Sequence, residues 1–364
     1  MKKYLFGICL LLSSTIVLAE DVVVRRDTVR DTIVVREVVR EYVLDTGCVK
    51  KAKKKQPIEV KFEVRSDWNS EFAKNEPFNS AFNVSFVNFI LNGNITDKLS
   101  YHYRQRLNRV NLTEGDGLNL LRSIDKAYFD YDFNPQWRIS AGKMVLGLGG
   151  WEYDAPPIDI YFASEFWNNI ACYQMGIKGM YTTRDGKSSI VAQVTNSPFN
   201  PKMLGGLYAY NLMWYGSYGC FHSAYSANML EYERGRFLGS VSLGNMFDFG
   251  PMHVELDYMW RYAGKGNPFR DFTLTALVKG NILGWASVHA KVGYDENLID
   301  DCHPLTAYGH QNLFYGLGVE AYPIKKQDFF RLHAYWYQND VLNEGLKNHY
   351  LTLGVTFRLT AFKR

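Results

Sequence analysis

From Ile58 to the end of the chain, apolar and polar residues alternate with a period of two, and this alternation constrains the fold more than any other feature. Ile58, Val60, Phe62 and Val64 alternate with Glu59, Lys61, Glu63 and Arg65. Successive side chains of a strand point to opposite faces, so each such segment has one apolar and one polar face. The pattern recurs in Leu99, Tyr101 and Tyr103 against His102, Arg104 and Arg106, and in Ala127, Phe129, Tyr131 and Phe133 against Asp130 and Asp132. It returns in Val254, Leu256, Tyr258 and Trp260 against His253, Glu255, Asp257 and Arg261, and in Val288, Ala290 and Val292 against His289 and Lys291. Past residue 19 no run of apolar residues is long enough for a spanning helix, yet 15% of the chain is aromatic and its mean hydropathy is only -0.23. A soluble sandwich of this composition would turn charges outward rather than Tyr, Phe, Trp, Leu and Val on strand after strand. An all-β transmembrane antiparallel barrel, apolar face to lipid and polar face to the lumen, accounts for both observations.

The strands are expected near 58–67, 80–93, 98–108, 124–133, 136–145, 171–182, 188–197, 207–216, 222–231, 235–247, 251–262, 270–280, 282–294, 311–322, 328–337 and 348–359. That is about 16 strands, an even number, as a closed barrel with both termini on one side requires. Tight turns are read at Asn94 to Asp97, Asn134-Pro135, Arg184-Asp185-Gly186, Phe249-Gly250-Pro251, Gly280-Asn281 and Pro323 to Gln327. Between them lie long connections at 109–123, 146–170, 295–310 and 338–347. The stretch 207–235 is the least constrained, where a slip of one hairpin changes the count by two.

The first 56 residues differ from the rest. Lys2-Lys3, an apolar run from Tyr4 to Leu18 and the small residue Ala19 have the layout of a secretory signal peptide over residues 1–19. Residues 20–56 mix valines with charges and end in the basic run Lys50 to Lys55, which suits a periplasmic segment, either flexible or a short stalk. The barrel is assigned to 57–364. Five cysteines do not make a disulfide scaffold in a chain of 364 residues. Cys172 and Cys302 fall on the long-loop side, Cys48 and Cys220 on the short-turn side, and free thiols are expected.

The hairpin Phe89 to Tyr101 (FILNGNITDKLSY) resembles the second hairpin of the phosphate-selective porin O and P family, and Ala127 to Met144 (AYFDYDFNPQWRISAGKM) resembles the strand and turn leading into its third loop. Tyr350 to Phe357 resembles a barrel-assembly signal, although seven residues follow Phe357 and Phe362 is out of phase by simple alternation. The resemblance implies an outer-membrane porin of sixteen strands, a homotrimer, with its third extracellular loop folded inward to narrow the channel. It implies lipid and small polar or anionic solutes as partners, and no cofactor, metal, nucleic acid or catalysis.

By strand phase the lumen receives the basic residues Arg104, Arg106, Arg138, Lys178, Arg261, Lys291 and Arg331, together with Lys61, Arg65, Lys279 and Arg358. The acids there are Glu59, Glu63, Asp130, Asp132, Glu255, Asp257, Asp271 and Glu320. The slight basic excess biases a pore weakly towards anions. The connection 146–170, the longest and by position the third outer loop, carries Gly147, Gly149, Gly150, Pro156 and Pro157 for a bent path, apolar residues from Trp151 to Phe162 for the wall, and Glu152, Asp154, Asp159 and Glu165. It has neither Lys nor Arg, whereas a phosphate site needs cationic donors at the constriction. The four acids are expected to face the lumen opposite Arg104, Arg106 and Arg138 and to set up a transverse field. The reading is a porin for passive diffusion of small hydrophilic solutes with weak anion preference. A substrate-selective channel for phosphate or other anionic metabolites, and a structural or adhesive barrel, are the alternatives. No G-x-S-x-G step is present, and the lone pair Cys302-His303 lacks partner ligands, so enzymes and metal sites are disfavoured.

Overall fold

The computed structural model describes residues 58–73, 77–109, 122–200, 206–263, 269–298, 303–324 and 329–363. The signal peptide, the segment 20–56, Cys48 and Cys302 lie outside these residues. The strands are β1 Glu59–Ala73, β2 Asn79–Asn94, β3 Leu99–Arg106, β4 Ile124–Asp132, β5 Trp137–Val145, β6 Tyr173–Thr182, β7 Ser188–Asn196 and β8 Tyr208–Tyr218. They continue as β9 Phe221–Glu233, β10 Arg236–Asp248, β11 Met252–Tyr262, β12 Asp271–Leu283, β13 Ala286–Asn297, β14 Gln311–Ala321, β15 Phe330–Val341 and β16 Leu346–Lys363. Each pairs antiparallel with its sequence neighbours, and β1 pairs with β16 to close a sixteen-stranded barrel. Closure leaves no sheet edge along the ladders, which makes strands viable in hydrocarbon.

The alternation read from the sequence is the alternation of the wall. Phe129 is 54% exposed on the outer face while its neighbour Asp130 is 5% exposed inside. Leu353 and Val355 point outward, and Thr352 and Thr356, which flank them, are buried. The uncertain stretch resolves into β8 and β9 joined at Gly219-Cys220, then β10 after Arg234-Gly235. Gly219 and Gly235 have φ of 65° and 75°, the left-handed conformation a tight turn requires.

Several boundaries differ from the sequence reading: β3 and β6 are shorter than expected, while other strands run further. The strand β12 continues through Gly280-Asn281 and turns at Gly284-Trp285, with its register shifting between Asn281 and Leu283. Most of 338–347 is strand, leaving only 342–345 between β15 and β16. Paired backbone extends the ladder wherever the neighbouring strand is long enough, whatever the turn propensity of an Asn or Gly within it.

Bulges account for the phase errors. At the closing seam Val60 pairs with Phe362 but Lys61 with Thr360, so Ala361 is the extra residue. This returns Phe362 to the outer face, 47% exposed, in phase with Phe357 and Leu359 rather than out of it.

Candidate functional site

The segment 146–170 leaves β5 and enters the barrel. Its first part packs against the inner faces of β6 to β11. Leu146 and Leu148 are fully buried in a cluster with Ala209, Leu230, Leu238 and Met259. The short helix α1, Trp151–Asp154, buries Trp151 against Met180, Val191, Met213, Tyr215, Ala224 and Met246. Two glycines make the approach possible. Gly149 and Gly150 have φ of 69° and 86°, and a Cβ on Gly149 would lie 2.8 Å from Ser226 Oγ. Gly244 on β10 completes the fit, since a Cβ there would meet Gly150 Cα at 2.8 Å. The Gly-rich bend expected from the sequence is therefore a close backbone contact with the wall.

The first turn of α1 is tied down by Asp257 on β11, which accepts from Trp151 N at 2.9 Å and Glu152 N at 2.6 Å. Glu152 itself accepts from Ser164 Oγ at 2.5 Å and forms an ion pair with Lys291 on β13 at 2.7 Å. The loop then reaches β1, β15 and β16. Arg65 donates to the carbonyls of Ile158 at 2.9 Å and Ile160 at 2.8 Å. Asp159 accepts from Arg331 at 2.7 Å and Arg358 at 2.5 Å. Burial disfavours its charge, but Arg358 and Arg331 outweigh that and hold its carboxyl well below the usual range. Tyr161 stacks on Tyr335 at 3.7 Å between ring centroids, and Phe162 on Tyr337 at 4.8 Å. The loop returns through α2, Glu165–Asn169, capped by Ser164, with Glu165 N donating to Asp295 at 2.8 Å.

These contacts revise the expected field. Glu152 and Asp159 do not stand free across the lumen from Arg104, Arg106 and Arg138; they are neutralised by Lys291, Arg331 and Arg358. Asp154 accepts from Tyr215 at 3.1 Å, and the Glu165 carboxylate accepts from Ala307 N at 3.3 Å. The physical reason is that a loop buried this deeply keeps its charges only by pairing them. Arg331 also meets Glu320 at 3.2 Å, a buried carboxylate shared with Lys279 at 3.2 Å and His289 at 3.3 Å. Arg261 is fully buried, bound to Asp271 at 2.8 Å, with His303 on the other oxygen at 2.9 Å.

Of the remaining basic residues, Lys61 lies on β1 beside Glu59 at 3.3 Å, and the others lie on β3 to β6. Arg104 and Arg106 share Asp125 at 3.3 and 3.0 Å, and Arg104 also donates to the Tyr173 hydroxyl. Arg138 meets Asp132 at 2.6 Å and Asp130 at 3.6 Å, with its side chain 37% exposed, and His102 meets Asp130 at 3.3 Å. Lys178 sits 5.8 Å from the Tyr128 ring centroid. Sequence reasoning missed Asp125, which strict alternation from Ala127 turns towards lipid. A bulge opposite Arg104 and Gln105 turns it inward instead. An aspartate on an otherwise apolar lipid face was the available signal, since an unpaired charge there is costly.

The sequence model of the phosphate-selective porin O and P family matches residues 58–263. No curated protein sequence matches. Among solved structures, the fold is similar to the outer membrane channel DcaP of Acinetobacter baumannii, at 13% identity and TM-score 0.60, covering 85% of this chain and 99% of that one. It is similar to the anion-selective porin from Comamonas acidovorans, at 8% identity and TM-score 0.58, over 84% of this chain and all of the other. It is similar also to the trimer form of OmpT of Vibrio cholerae, at 12% identity and TM-score 0.55, over 83% of this chain and all of the other.

Proposed function

This chain belongs to the phosphate-selective porin O and P family of outer-membrane proteins, and from that premise we propose a passive diffusion channel for small hydrophilic solutes with a weak preference for anions. It is a channel and not an enzyme. Residues 1–19 direct export and residues 20–56 form a periplasmic segment, while the barrel works as a homotrimer.

The observation that carries the anion preference is the uneven distribution of charge. On β13, β15 and β16 the loop acids Glu152 and Asp159 take up Lys291, Arg331 and Arg358. On β3 to β6, Arg104, Arg106 and Arg138 meet Asp125, Asp130 and Asp132, carboxylates of β4. With Lys126 and Lys178 in the same sector, basic residues outnumber acids there among the described residues. The excess is small and partly exposed, so the selectivity it produces is weak and screened over ~8 Å at physiological salt.

Reversal potentials in planar bilayers under a salt gradient test this. Wild type shows a modest anion preference that fades as salt rises, and Arg138→Gln with Lys178→Gln moves the potential towards cations. A cation-selective wild type overturns the reading. Phosphate blocks chloride current only weakly, because the constriction loop brings no basic side chain of its own. Saturable block at micromolar phosphate instead establishes the substrate-selective channel.

A further inference from the structure

A second outer connection also turns inward. Residues 303–310, which lead into β14, bury the His303 side chain against Asp271 at the outer end of β12, 2.9 Å away. Leu305, 2% exposed, belongs to the same apolar cluster as Leu146, Leu148, Phe166 and Ile170 of the segment 146–170. Its carbonyl accepts from Asn169 Nδ2 of α2 at 3.3 Å, and the carbonyl of the buried Thr306 accepts from Asn297 Nδ2 at 3.1 Å. Loops ordinarily run over the surface. Burial of His303, Leu305 and Thr306 marks this one as packed onto the segment beneath it.

Its polar contacts converge on one side chain. Glu165, the first residue of α2, has both carboxylate oxygens turned to this segment: Oε2 accepts from Ala307 N at 3.3 Å, and Oε1 lies 3.7 Å from His310 Nδ1. His310 Nε2 in turn meets Glu344 of the β15–β16 turn at 3.0 Å, and Asn343 of that turn donates to Gly309 O at 2.7 Å. Contacts therefore run from the turn 342–345 through 309–310 to α2. The side chains of Glu165, His310 and Glu344 are partly exposed, so each polar contact contributes little by itself. The buried Leu305 supplies most of the hold.

We propose that residues 303–310 form a strap that holds α2 down from the outer side and keeps the Glu165 carboxylate away from permeating ions, so that Glu165 determines ion preference only when the strap is lifted. With the strap in place, that carboxylate is taken up by Ala307 and His310. With the strap lifted, α2 loses its outer support and the carboxylate joins the lumen, where charged side chains bias which ions enter. The weak anion preference then depends on an outer loop as well as on the basic residues of the wall. The inference rests on the channel reading above.

Open-channel noise and reversal potentials of the purified full chain in planar bilayers test the strap. Leu305→Ser removes the buried foot without changing the charge. It lengthens the time spent in noisy substates by about tenfold or more and moves the reversal potential towards cations. Adding Glu165→Gln returns the potential to the wild-type value and leaves the noise high. In the wild-type background Glu165→Gln shifts the potential less than it does beside Leu305→Ser. Heat-modifiability on gels checks that the barrel is folded. If Leu305→Ser fails there, Asn343→Ala, charge-neutral and on an exposed turn, gives a smaller change in the same directions. Wild-type noise and potential in the folded variants overturn the strap, and a cation shift that survives Glu165→Gln overturns the role of the carboxylate. A wild type that does not conduct overturns the channel reading itself.

Discussion

Asp159 shows how single side chains hold the channel's interior. It binds two arginines from different strands, Arg331 and Arg358, and both sit beside further carboxylates in Glu320 and Glu63. Its pKa in the folded chain is lowered from 3.8, so its contribution to loop docking is fully present above that value. The contribution is lost only as pH falls through the lowered pKa. Channel conductance is therefore steady from roughly pH 7 to 4 so far as this group is concerned, with flicker from loop release only below about pH 3. Asp159→Asn leaves Arg331 to Glu320 and Arg358 to Glu63, loosens the loop by about 1.5–3 kcal/mol and flickers at neutral pH. Single-channel recordings across this range check both, and a step in loop noise between pH 5 and 7 would speak against Asp159 as the anchor. The residue type was legible in the sequence, but its partners were not. Arg331 and Arg358 stand 172 and 199 residues away, and their approach depends on how far the loop reaches across the barrel.

At the scale of the strand, phase decides what a substitution costs. Leu256 and Glu255 are neighbours on β11, one towards lipid and one towards the lumen beside His253. Leu256→Arg destabilises the barrel by ~2–4 kcal/mol if it lies near the midplane, whereas Glu255→Arg leaves assembly intact. Heat-modifiability on gels and urea titration in detergent distinguish them; equal tolerance at both positions would contradict the phase. This phase was readable because the side-chain period of a strand is two. Where it failed, at Asp125 and Phe362, a bulge had inserted one residue. Bulges answer to the pairing partner and the curvature of the closed wall, neither of which a local pattern encodes.

Over the whole molecule, the segment 146–170 meets the strands in two unlike ways. Along β6 to β11 it is a packed apolar core around Leu146, Leu148 and Trp151, and along β13 to β1 it is a set of ion pairs. Deleting Tyr153 to Phe162 removes Asp159 and the aromatic stretch that reaches β15 and β16, so single-channel conductance rises; unchanged conductance would place the permeation path away from this loop. The sequence by itself determined the all-β barrel, its sixteen strands and which loop is longest, because alternation, strand length and turn chemistry are local properties. Only the tertiary structure decided which charges survive. Sixteen strands bring two of the loop's four acids, Glu152 and Asp159, within 3 Å of bases on β13, β15 and β16, while Arg104, Arg106 and Arg138 meet carboxylates of β4. Neutralisation depends on distances across the lumen, and those exist only once the barrel is closed and the loop is inside it.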